Sequence, residues 1–91
     1  MCSGSIDVRE ISGSAKGAAG WFPLEKVQVS YDHPFMAQVD EAVLVDMVNS
    51  KLGPGARIAM ELSPQAAKEL VAMIEAALRE GQSRHAGKSI H

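Results

Sequence analysis

Residues 42–48 read Ala42-Val43-Leu44-Val45-Asp46-Met47-Val48, apolar at every position but one. A run this short fits either a helix segment or a strand covered on both faces. Its β-branched residues and the turn residues that follow favour the strand. Within residues 49–55 the segment Leu52-Gly53-Pro54-Gly55 reverses the chain. Beyond it Ile58, Met60 and Leu62 alternate with Arg57, Ala59 and Glu61, the period-two pattern of a strand with one face on a core. The two strands make a β-hairpin, and the rest of the chain is organised around it.

On the C-terminal side, Ser63-Pro64 is a helix start. The serine hydroxyl can accept an otherwise orphaned amide, and proline at the first helical position gives up no hydrogen bond. The predicted helix runs from Pro64 to about Glu80, with Gly81 as a natural stop. Along it Ala67, Leu70, Val71, Ile74, Ala77 and Leu78 form one apolar stripe, expected to cover a sheet face. Residues 82–91 are polar and lack periodicity, which predicts a disordered tail after a single domain of residues 1–81.

On the N-terminal side, Ile6 and Val8 alternate with Asp7 and Arg9, which reads as a first strand. Residues 12–20 hold three glycines among small side chains and predict a flexible loop. Residues 21–31 read as a second strand, with Trp21, Val27, Val29 and Tyr31 on one face and Pro23 marking an edge or a bulge. Asp32-His33-Pro34 ends that strand, because the residue before a proline is pushed out of helical geometry, and a linker to about Asp40 follows. The expected architecture is α+β: a small antiparallel sheet of about four strands in the order β-β-β-β-α, with one C-terminal helix packed on a face. One helix covers one face, yet Trp21, Phe22, Val43, Val45 and Met47 are expected to supply apolar groups to both. A homodimer, sheet to sheet or edge to edge, is therefore expected.

At 91 residues the chain holds one modest core. It is 46% apolar and 22% charged, with no segment near the roughly 18 uninterrupted apolar residues of a membrane helix. That sets a membrane aside, and a net charge of −2, which gives no broad basic field, makes nucleic acid an unexpected partner as well. The start has no basic segment followed by an apolar run, and a cytoplasmic location is the expectation. The one cysteine, Cys2, leaves nothing to pair with inside the chain.

Four places carry chemistry-bearing side chains. Asp32-His33-Pro34-Phe35 joins a histidine, which titrates near neutrality and ligates metals, to an acid that can orient it. The alternative is that Asp32 caps a turn, Pro34 fixes it and Phe35 plugs the core. Cys2, once Met1 is removed, offers a thiol and an amine on one residue, as metal ligand or nucleophile; the alternative is an idle thiol at a terminus. Asp46 interrupts an apolar strand and, facing inward, would be a carboxyl fit for acid-base work; facing outward it would pair with Arg57 across the hairpin. The loop around Gly13-Ser14-Ala15-Lys16-Gly17 lacks the Gly-Lys-Ser/Thr order of a nucleotide-binding loop, which leaves a small anion or nothing as its ligand.

Several separated pieces together, the Met-Cys start, Gly17-Ala18-Ala19-Gly20-Trp21-Phe22, Asp32-His33-Pro34-Phe35, Pro54-Gly55-Ala56-Arg57 and Glu61-Leu62-Ser63, resemble a family of short uncharacterised proteins, mostly from actinobacteria, classed as a domain of unknown function. The resemblance spans roughly residues 1 to 80. It implies one compact domain and brings no known reaction. Relatives with histidines near the positions held here by Met36 and Glu41 would place His33 in a ligand cluster, which in this sequence becomes His33, Glu41 and Cys2.

Two readings follow. In the first, a small dimeric protein binds a divalent metal ion or a small molecule between the sheet and the linker, with His33, Cys2 and Asp46 as catalytic candidates and His33, Cys2 and Glu41 as metal ligands. It would then be open to being a small enzyme of secondary metabolism. In the second, a module without chemistry docks a protein partner through an exposed sheet face.

Overall fold

The computed structural model describes residues 6–86. Strands β1 (Asp7–Glu10), β4 (Lys26–Asp32), β5 (Ala42–Val48) and β6 (Arg57–Leu62) form one antiparallel sheet in the order β1-β4-β5-β6. Strands β2 (Ser14–Gly17) and β3 (Gly20–Pro23) pair with each other as a separate hairpin, and helix α1 (Pro64–Ala86) closes the described chain. The class is α+β, as the pattern of residues 42–80 indicated.

Cross-strand partners share a face, so the register assigns every side chain. Three apolar rows lie on one face: Val27–Met47–Ile58, Val29–Val45–Met60 and Tyr31–Val43–Leu62. The opposite face carries Gln28, Ser30, Asp46, Arg57 and Glu61 among smaller apolar groups. Val43, Val45 and Met47 therefore share one face, and Trp21 and Phe22 belong to the other sheet, which corrects the expectation that these five residues supply both faces of the central strands.

Residues 12–20 differ from the expected loop. Ser14–Gly17 folds back on Gly20–Pro23 through Ala18-Ala19, and Gly20 takes φ 115°, where a side chain would be strained. The predicted strand over 21–31 is broken at Leu24-Glu25, so its two halves serve different sheets. Asn49 Nδ2 donates to the Pro23 carbonyl, while the amide and hydroxyl of Ser50 both donate to Glu25 Oε1, tying the break to the end of β5. Phe22 is buried under this hairpin's end of the molecule, as is Ala56.

Helix α1 begins as its sequence indicates. Ser63 Oγ accepts the amide of Ala66 at 3.0 Å, and the Ser63 carbonyl accepts that of Ala67. The helix then runs through Gly81 to Ala86, past the expected stop, since Gly81 keeps a negative φ and no proline follows. Its stripe does not cover the sheet. The first two turns lie beside Tyr31 and Val43, but every residue from Val71 to Glu80 is exposed, including Val71 at 55%, Ile74 at 51% and Leu78 at 54%. A single residue joins β6 to α1, too short a connection to turn the helix back across the strands.

Candidate functional site

The linker after β4 is held by one side chain. Glu61, on the polar face of β6, accepts the amides of Met36 and Ala37 on Oε1 at 2.8 Å each, and that of Phe35 on Oε2. Three amide dipoles aimed at one carboxylate favour its charged form, and the backbone bonds from Met36, Ala37 and Phe35 lower its pKa below the usual value. Clamped in this way, the linker turns its large side chains outward. Phe35 is 89% exposed and Met36 74%, so Phe35 does not plug the core. Asp32 does act locally, its Oδ1 accepting the amide of His33 at 2.6 Å.

On the other side of the linker, Tyr31, His33, Val39, Asp40, Glu41 and Pro64 line an open cavity of about 540 Å³. His33 Nδ1 lies 3.2 Å from the Asp40 carbonyl. A carbonyl only accepts, so Nδ1 is the donor in this contact. Partial desolvation first, then the charge of the nearby Glu41 carboxylate and its attraction for the phenol hydrogen, raise the tyrosine pKa. The short linker thus brings together His33 and Glu41, two of the residues singled out from sequence, and adds Tyr31, which was not.

Asp46 stands apart from them. Arg57 Nε and Nη2 donate to its Oδ1 and Oδ2, each at 2.8 Å, on the polar face two residues out of direct register. The pair holds Arg57 firmly protonated, the hydrogen bond being the larger cause and the charge of Asp46 the next. This is the outward-facing alternative for Asp46, which lines a different depression from His33. Cys2 lies outside the described residues. Among the described residues no three His, Cys, Asp or Glu side chains gather as a metal centre would require.

Glu61 is the residue that local sequence patterns miss. Its place in an alternating strand marks it as outward-facing, and nothing local announces partners 24 to 26 positions earlier. Among the described residues, no helix is long and apolar enough to cross a membrane. No curated protein and no solved structure matches the chain. A family model does match, over residues 1–87, and the chain belongs to that family, the family of unknown function DUF6295.

Proposed function

We propose that the chain is a protein-protein interaction module whose docking surface is the apolar face of the main sheet together with the stripe of α1. One observation carries this reading. Of the nine side chains in the three apolar rows none is buried, and among the described residues no large side chain is fully buried anywhere. A domain of this size depends on burying such groups, so a face left open in one copy is a face to be covered. Beside it, Asp7 and Arg9 of β1 occupy the same side and pair with each other, giving the apolar centre a charged margin, the usual arrangement of an interface.

The test is binding of the apolar dye ANS to the dilute full-length protein. Fluorescence is expected, and it should fall in a Val71→Lys variant, whose substitution lies on the exposed stripe. No binding by protein that sediments as a monomer would mean that the face is sealed from within and would overturn the reading.

A second reading rests on the cavity shared by Tyr31, His33 and Glu41. A histidine beside a carboxylate suits a small polar ligand, or a divalent cation if Cys2 supplies a third donor. Calorimetric titration with zinc chloride tests the metal form. Stoichiometric heat lost in both His33→Ala and Cys2→Ser supports it, and no heat with the wild-type protein contradicts it.

A further inference from the structure

Resting on the interaction-module reading, we infer that the partner is a second copy of this chain and that the two copies exchange helices, the distal half of each α1 lying across the apolar sheet face of the other. Dimensions support this occupant. The apolar face spans four residue steps along β4, from Val27 to Tyr31, or about 13 Å, and three strands, about 10 Å across. The uncovered stripe from Val71 to Leu78 is about 10 Å long, on a helix about 10 Å wide. Each copy therefore offers one helix-sized apolar face and one unpartnered apolar helix. A twofold axis satisfies both at once, with nothing left over.

The single copy is also too open to be the finished object. A compact 9.7 kDa chain exposes about 5,100 Å². This one exposes 6856 Å². Even half of that excess matches the roughly 800 Å² that each partner loses in an interface of standard size. The radius of gyration, 15.7 Å, likewise exceeds the roughly 12 Å of a compact domain of this length. Along the helix ten consecutive residues, Val71 to Glu80, are exposed. Its own sheet is out of reach because Ser63 alone joins the two elements. A sheet face lacking a helix and a helix lacking a sheet are the two halves of one α/β layer pair, and the same chain carries both.

The experiment mixes two forms of the full-length protein. One carries Cys2→Ser and Ala76→Cys with a nitroxide on the exposed polar side of α1; the other is unlabelled and ¹⁵N-enriched. Sedimentation equilibrium of the wild type is run beside it, and Ile74→Asp, a change at an exposed position of the single copy, is the control that should still fold. The expected result is a dimer, with Val29, Val45 and Met60 amides of the ¹⁵N copy broadened by the other copy's label, and a monomer for Ile74→Asp. A dimer whose broadening is confined to α1 would overturn the helix exchange. A monomer at every concentration would overturn the second copy as partner; if it binds ANS the docking face survives, and if it does not, the interaction-module reading falls with it.

Discussion

The carboxylate of Glu61 gathers three consecutive amides, and protonation would remove the charge that holds them. Its pKa is lowered in the folded protein from an ordinary value of 4.5, so its contribution to stability is fully present above that value and is lost as pH falls through the lower, folded pKa. Glu25, held by Ser50 through a side-chain and then a backbone bond, behaves in the same sense. Glu61→Gln keeps the size of the side chain but replaces one acceptor oxygen by a donor. It is expected to speed hydrogen exchange at the amides of Phe35, Met36 and Ala37 and to lower the Tm at neutral pH. The difference from wild type should shrink as pH falls below about 4.5 and close once the folded carboxyl is protonated. Unchanged exchange at these amides would show that the linker does not depend on Glu61. His33 was legible as a candidate from its residue type, whereas Glu41 entered only through the family resemblance. The Glu61 clamp was not, because strand alternation gives the direction of a side chain and says nothing about a partner from far along the chain.

At the scale of elements, β5, β6 and the start of α1 could be read directly. Each has a local cause: an apolar run bounded by a Gly-Pro turn, clean alternation, and a Ser-Pro cap. The β2-β3 hairpin could not, since the alternation of Ser14-Ala15-Lys16-Gly17 is carried only by an alanine and a glycine, which leave little to bury. Its position is set by contact with the β5-β6 turn. A Cβ at Gly17 would sit 3.0 Å from the Gly55 carbonyl oxygen and 3.1 Å from Phe22 Cε1, so this glycine is what lets the hairpin lie close. Gly17→Ala is therefore expected to destabilise the protein by about 1–3 kcal/mol, as overpacking does elsewhere. Chemical denaturation measures it, and a midpoint equal to that of wild type would mean that the hairpin shifts without cost. The run of α1 beyond Gly81 was hidden for a related reason. Glycine is a frequent stop for a helix, but only a positive φ there makes it one.

For the molecule as a whole, the sequence reading expected apolar groups on both faces of the sheet, more than one helix could cover, whereas the fold gathers them on one face and leaves that face open. The helix expected to cover that face is instead exposed from Val71 to Glu80. Binding that exists only in the folded state makes thermal stability depend on concentration. The most direct measurement is thus the Tm of the full-length protein over a hundredfold range of concentration, beside Ile74→Asp. The Tm of wild type should rise with concentration while that of the variant stays fixed and lower. A wild-type Tm independent of concentration, equal to that of Ile74→Asp, would contradict the view that the core of this protein is completed between two copies.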